Sequence, residues 1–341
     1  FKASVMCGFM ISVDKRIASF GIPSLRESRR ANSSDGVPCQ VAFVLATMFL
    51  LMTWLPFLLV ILSGLAHALW NILLKRGSNQ EIFVWLLQVV IAILAAPLAI
   101  ILILTQGIEY PGWWFVLGTS IIHILYFLFL SRSYMHADLS LVYPLARGIG
   151  PILVPILGVT FLDEEVTTVT VLGIMTIVAG IFIVYWLGRV SYIASDPVAF
   201  FKNRGIHYAI LTGCAIAGYS VWDKLGVQYV NPLLYMYLLA LGTAIGLMPY
   251  MLFKHGLVSV GKELKLNLLE IIIASFLAFA AYTIVLSALQ ISQASYVSPI
   301  REIGIVFSVI LGATLLKEPL SRGRIAGSLF IVAGVFTVGI S

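Results

Sequence analysis

Charge is what this chain has least of. Asp, Glu, Lys and Arg make up 11% of its 341 residues and the hydrophobic class 60%, where a soluble domain carries about 25% charged residues. Mean hydropathy is +1.03. So few charges cannot cover an apolar surface of that extent, and lipid is the natural solvent. Helices satisfy their own backbone in lipid, so an all-α polytopic membrane protein is expected. Cysteine is scarce too. Cys7, Cys39 and Cys214 have no CxxC or Cys/His spacing, which argues against a disulfide frame and a zinc site. There is no Walker motif, so ATP is not the direct energy source, and no polar stretch long enough for a soluble domain. An intramembrane enzyme finds no HExxH and no GxSxG to support it. Arg147-Gly-Ile-Gly is not a nucleotide loop, because no strand precedes it. No cofactor and no metal are expected. The net charge of +6 needs no nucleic-acid partner, since basic residues flank membrane spans.

What is present is a duplication. The stretch Leu139 to Glu165, LSLVYPLARGIGPILVPILGVTFLDEE, returns 154 positions later. That shift lays Arg147 on Arg301, Gly150 on Gly304, Gly158 on Gly312, Thr160 on Thr314, Glu164 on Glu318, Gly173 on Gly327 and Gly180 on Gly334. A shift of 149 lays Leu62 on Leu211, Gly64 on Gly213, Ala66 on Ala215 and Lys75 on Lys224. The five-residue difference fits an extra stretch in a loop over Lys254–Asn267. Repeats of this kind mark transporter folds built from two halves.

Apolar runs of about 20 residues divide the chain into ten expected helices. The first five are Trp54–Lys75, Ile82–Leu104, Gly112–Leu130, Leu139–Phe161 and Val166–Leu187. The second five are Ile206–Lys224, Leu233–Phe253, Asn267–Leu289, Ala294–Leu316 and Ile325–Ile340. Trp54, Trp113, Trp114 and Trp186 stand at span ends, as interfacial aromatics do. The domain reading is a first five-helix repeat over 54–187, a connecting loop over 188–205 and a second repeat over 206–341. An odd number of spans per repeat turns the second half upside down, which predicts an inverted repeat with a midplane site between halves.

Residues 1–53 do not conform. They begin on Phe1, are polar around Arg26, Arg29 and Arg30, and lead into an apolar run from Val41 to Leu74 that suits neither one span nor two. The expectation is a mis-assigned start or a dispensable extension up to about residue 51, the alternative a cytoplasmic tail with an interfacial segment. Loops leaving odd-numbered spans hold twelve basic residues, Lys75 and Arg324 among them, against Lys224 alone on the other face. Positive-inside places those twelve in the cytoplasm.

Short motifs then point to a family. Asp163-Glu164-Glu165-Val166-Thr167 and Lys317-Glu318-Pro319-Leu320-Ser321 each precede a glycine-rich helix. With His67-Ala-Leu-Trp-Asn71, Tyr143-Pro-Leu-Ala-Arg-Gly148 and Ser298-Pro-Ile-Arg-Glu302, the chain from about Trp54 resembles the EamA-type transporters of the drug/metabolite transporter superfamily. The resemblance implies ten helices in inverted repeats, transport or export of a solute, and termini that are usually cytoplasmic. That orientation is opposite to the one the loop charges give.

The candidate substrate-binding residues are Arg147, Arg301, Glu302, His67, Asn71, Tyr143 and Ser298. Arg147 is eight residues into its span, about 12 Å deep at 1.5 Å per residue. A charge at that depth needs a partner or a wet cavity, and Arg301 repeats it. Pro151 leaves the Arg147 carbonyl without its helical donor, so a locally open backbone is expected there. Two guanidiniums suit carboxylate or phosphate. Glu302 either neutralises an arginine or carries a proton that couples transport. Against this stand small-residue packing with a snorkelling arginine, and a buried ion pair that merely fixes the helix. His67 could bind cargo or shuttle protons, but a lone His is as often an interhelical hydrogen-bonding residue, and His123 is the weaker candidate. Glu164 and Glu318 read as helix-terminus residues, and Gly242-x-x-x-Gly246 as a close helix contact within the fold.

Three functions follow. The first is a secondary transporter or exporter of a small anionic or zwitterionic metabolite, working by alternating access in the cell (inner or plasma) membrane. The second is a flippase for a lipid-linked sugar or phosphate. The third is cationic drug or metabolite efflux, which would need an acid-dominated cavity. Expected partners are a small solute, the lipid bilayer and a coupling proton, with no nucleic acid and the protein a monomer or homodimer. Arg147→Ala and Arg301→Ala are expected to abolish transport with folding intact.

Overall fold

The computed structural model describes the backbone of residues 39–187 and 202–341, and side chains from Trp54 onward except 139–140 and 188–201. Phe1–Thr53 forms one unit and Trp54–Ser341 another. Of the first, only helical backbone from Cys39 is described. The expectation of a mis-assigned start otherwise lies outside the described residues.

All regular structure among the described residues is helical. In chain order the helices are α1 (Cys39–Arg76), α2 (Gln80–Leu94), α3 (Ala96–Gln106), α4 (Tyr110–His136), α5 (Leu139–Phe161), α6 (Thr168–Trp186), α7 (Arg204–Gly226), α8 (Pro232–Leu266), α9 (Leu268–Ile291), α10 (Ala294–Ile300), α11 (Ile303–Leu315) and α12 (Arg322–Gly339). Among the described residues eight segments are long and apolar enough to span a membrane, and α2 with α3, bent by 53°, counts as a ninth when taken as one span. This is a multi-pass membrane protein.

Length and composition thus single out nine of the ten expected spans. The remaining one is α7, 23 residues long. Its buried positions include Thr212, Gly213, Ser220 and Asp223, and it packs between α4 and α5. Protein rather than lipid surrounds that face, so the helix need not be apolar.

Three helices differ from their expected outlines. The second span bends at Ala95, where Pro97 enters the first turn of α3 and removes a backbone donor. The segment after Phe253 is helical rather than a loop. The chain turns at Gly256, φ 73°, and continues to Leu266, with Val260 and Leu264 set on the core. The ninth span is broken into α10 and α11. Pro144 and Pro299 lie 155 positions apart but Arg147 and Arg301 only 154, so the second repeat has one residue fewer at this point. There the helix opens into a turn at Arg301–Glu302.

Four repeated glycines reveal the symmetry. A Cβ on Gly173 would meet the Gly334 carbonyl, and one on Gly334 the Gly173 carbonyl; Gly180 and Gly327 face each other in the same reciprocal way. Gly334 is the twin of Gly180 and Gly327 the twin of Gly173, so α6 and α12 make an isologous contact. The pairing 173 with 334 and 180 with 327 runs antiparallel. The two-fold axis therefore crosses the helices rather than following them, as an inverted repeat requires.

The first helix of each repeat packs on the fourth span of the other. Gly64 of α1 meets Ile303 and Gly304, and Gly213 of α7 meets Ala146 and Ile149 of α5. Gly242 and Gly246 face Ser120 and Ile124 of α4, a contact within the fold. This exchange brings α1, α5, α7 and the α10–α11 turn around one space.

Candidate functional site: a two-arginine cavity

That space is a cavity of about 460 Å3. His67, Trp70 and Asn71 of α1 line it, with Gln88 of α2, His123 and Tyr126 of α4, and Tyr143 and Arg147 of α5. Tyr219 of α7, Tyr282 of α9 and Arg301 complete the wall. Glu81 in the first turn of α2, Ser131 near the end of α4 and Lys254 just before the turn at Gly256 mark the mouth, on the face that holds most loop lysines and arginines.

The structure brings five of the seven expected residues to this wall: His67, Asn71, Tyr143, Arg147 and Arg301. Glu302 and Ser298 are buried but do not line it. Arg147 Nη2 lies 3.1 Å from Glu302 Oε2, with the side chains 11% and 5% exposed. Arg147 Nε and Glu302 Oε2 make no aligned hydrogen bond among the described residues. Charge and proximity hold the pair, so the guanidinium keeps donors for something else. Arg301 has no carboxylate partner among the described residues, and its guanidinium lies 5.6 Å over the Tyr282 ring.

The two repeats hold their arginines differently. Helix α5 runs unbroken through Pro144, Pro151 and Pro155, so the opened backbone expected beside Arg147 stands instead beside Arg301. The cause is the missing residue after Pro299.

On α1, Trp70 Nε1 donates to His67 Nδ1 at 3.2 Å. Indole nitrogen only donates, so Nδ1 accepts and the imidazole proton sits on Nε2. Asn71 Nδ2 donates to the His67 carbonyl at 2.7 Å, which orients its side chain along the helix. Tyr143 packs on Tyr185, 5.2 Å between rings.

Two acidic centres escaped the sequence reading. Asp223, wholly buried, accepts from Tyr235 Oη at 2.8 Å and from Tyr282 Oη, so it sits one residue behind Arg301. With Glu302 it makes a second deep carboxylate near the two arginines. Next to Lys224 it reads as an ordinary polar helix end. Glu81 at the mouth accepts from Ser131 Oγ at 2.7 Å, Lys254 Nζ at 2.8 Å and Tyr250 Oη at 3.1 Å. His123 was undervalued: its ring stacks on Tyr219 at 4.4 Å. The i, i+3 spacing of His123 and Tyr126 was the available signal.

Charged groups on the wall are Arg147, Arg301 and Lys254 against Glu81, and Glu81 is paired with Lys254. The cavity is cationic. No group of three or more His, Cys, Asp or Glu suited to a metal occurs among the described residues.

Comparison with known proteins agrees with this architecture. The profile of the EamA-like transporter family matches residues 54–186 and again 203–340. The chain belongs to the EamA-like transporter family. Two matches in one chain are the two repeats. A protein from Archaeoglobus fulgidus described as an uncharacterized transporter is 27% identical over 224 residues, 65% of this chain and 74% of its own. One solved crystal structure superposes with a TM-score of 0.61 at 17% identity, covering 84% of this chain and 95% of its own. At that identity the likeness speaks for the fold. Family and relative point to membrane transport rather than enzymatic chemistry.

Proposed function

We propose that this EamA-like protein is a secondary-active transporter or exporter of a small anionic or zwitterionic metabolite, working by alternating access in the cell membrane. The observation that carries the reading is that Arg147 and Arg301, twins in the duplicated sequence, line one cavity, and that Arg301 has no carboxylate partner among the described residues. A carboxylate or phosphate fits between two guanidiniums, and the aromatic walls cover a less polar body. Glu302, beside Arg147 and behind the wall, is placed to neutralise that arginine when the cavity is empty. As cargo draws the guanidinium away, Glu302 takes up a proton, which couples transport to the proton gradient. Efflux of cations is disfavoured by a wall on which cationic groups outnumber the one carboxylate.

The test is counterflow in proteoliposomes loaded with acidic or zwitterionic metabolites. Uptake of labelled acid is expected with the parent protein and is lost in Arg301→Ala. Uptake of organic cations alone, or undiminished acid uptake by Arg301→Ala, contradicts the proposal.

A further inference from the structure

The two halves are related by sequence, yet their matching end loops are engaged differently, and the difference falls on Glu164 and Glu318. The loops share one backbone. Asp163 and Lys317 are the two non-glycine residues with positive φ among those described, at 52° and 54°. The amides of Glu164 and Glu318 donate to the carbonyls of Gly158 and Gly312, both at 3.1 Å. Only the partners of the carboxylates diverge.

Glu164 reaches into the other repeat. It accepts from the backbone N–H of Ala294 at 2.6 Å, from that of Ser295 at 2.9 Å, and from Ser295 Oγ. It thereby holds the first turn of α10. A Cβ on Gly158 would collide with this carboxylate, so glycine there is what lets it lie so close to α5. Beside it Lys224 Nζ donates to the carbonyls of Leu289 and Ser292, at 2.7 and 2.8 Å. Together these bonds tie shut the face away from the cavity mouth.

Glu318, on the mouth face, holds no first turn of a helix in the other half, and its reach across the repeats is to the C-terminal end of α1. Its carboxylate pairs with Lys75 Nζ at 2.9 Å and Arg324 Nη1 at 2.8 Å. Lys75 is the twin of Lys224. The backbone at the receiving end is matched as well. Asp138 and Gln293 are the N-cap residues of α5 and α10, each taking two helical N–H bonds on its carbonyl. Ala137 and Ser292, both extended, precede them. Counting from these caps, Ala294 and Ser295 correspond to Leu139 and Ser140, and Leu289 and Ser292 to Tyr134 and Ala137.

We propose that Glu164 and Glu318 are alternating latches. When the present mouth closes, Glu318 leaves Lys75 and Arg324 and accepts from the backbone N–H groups of Leu139 and Ser140, while Lys75 moves to the carbonyls of Tyr134 and Ala137. Glu164 and Lys224 release α10 in the same transition. The first N–H groups of any helix lack an intrahelical acceptor, so α5 offers the same donors that α10 now uses. Exchange of near-equivalent bonds keeps the two states close in free energy, which an alternating-access cycle requires. The inference rests on the alternating-access part of the proposed function and not on the nature of the cargo.

Spin labels at Met135→Cys and Leu320→Cys, both exposed positions, report closure of the mouth in protein whose three native cysteines are replaced by serine. Distances are measured by double electron–electron resonance in proteoliposomes. Glu164→Gln places an amide N–H against donors and weakens the present latch. It is expected to raise the ratio of short to long distances roughly tenfold, the loss of one charge-assisted bond. Arg324→Gln takes from Glu318 a partner it holds only in the present state and raises the short population as well. Ser295→Ala, which deletes one hydroxyl, shifts the ratio in the Glu164→Gln direction by less and serves if Glu164→Gln does not fold. An unchanged distribution in Glu164→Gln or in the Ser295→Ala substitute, or a short population that does not rise in Arg324→Gln, overturns the proposal. The readout needs no cargo. Shifted distances without acid counterflow support the latches and refute the anionic cargo; acid counterflow with unshifted distances does the reverse.

Discussion

Removing Arg147 does two things at once, and a double-mutant cycle separates them. Glu302 lies 3.1 Å from the guanidinium with 5% of its side chain exposed, so Arg147→Met strands a carboxylate in a low-dielectric interior. Breaking one side of a buried pair costs about 3–5 kcal/mol, whereas replacing both partners by neutral groups is often close to neutral. Arg147→Met and Glu302→Gln singly are therefore expected to destabilise, the first by about 3–5 kcal/mol and the second by less, since Gln keeps an acceptor for the arginine. The double variant is expected to recover most of that loss, with a coupling of about 2–4 kcal/mol. Transport is expected to stay absent in it, because the cargo donor is gone. Unfolding in one fixed detergent gives the stability half of the cycle, and acid counterflow gives the other. A double variant as unstable as Arg147→Met would show that the pair is not the structural unit described. A stable double variant that transports normally would remove Arg147 from the cargo site and leave it a purely structural residue.

Other perturbations follow from the same geometry. Arg301→Ala takes away no ion pair among the described residues, so its stability cost is expected to stay within about 1 kcal/mol while counterflow disappears. This contrasts with Arg147→Met and is read by the same two assays. Gly327→Ala puts a Cβ 2.6 Å from the Gly180 carbonyl and 2.5 Å from Val184. Backbone cannot yield there, so a loss of about 1–3 kcal/mol is expected, seen as a lower melting temperature. The bond from Lys75, followed by that from Arg324, holds the Glu318 carboxyl below the ordinary value of 4.5. A depressed acid contributes stability above that value and loses it as pH falls through the folded one. The melting difference between parent and Glu318→Gln is therefore expected to be constant near neutrality and to vanish only below about pH 4. A difference that persists in full at pH 3 would mean these pairs are not its source.

Particular residues show how far the sequence carried the reading. The duplicated glycines announced the repeat because only a residue without a side chain fits where two backbones touch. The reciprocal contact of Gly173 and Gly180 with Gly334 and Gly327 is that constraint seen in space. Arg147 and Arg301 were legible for a related reason, since a deep charge in an apolar run is too costly to be incidental. Asp223 was not legible, because beside Lys224 near a helix end it looks solvated. Its two tyrosine donors come from α8 and α9, which only folding brings near. The break at Arg301 was equally hidden: it follows from one residue missing after Pro299, and a fixed offset between repeats averages over such a step. Helix α7 was legible as the span Ile206–Lys224, but the reason its polar face is tolerable was not, because the neighbours that cover it lie in the other repeat. The bent α2–α3 pair had its Pro97 in view, but the apolar run around it read as one span.

Ligand-induced stabilisation of the purified protein tests the central claim, a cationic midplane cavity that holds an acidic solute, most directly. A ligand at 100 times its dissociation constant adds about 2.7 kcal/mol, which a thermal melt resolves. The account predicts stabilisation by acidic or zwitterionic metabolites, lost in Arg301→Ala and in the Arg147→Met/Glu302→Gln double variant. Stabilisation by organic cations alone, or by acids equally in parent and variants, would contradict it.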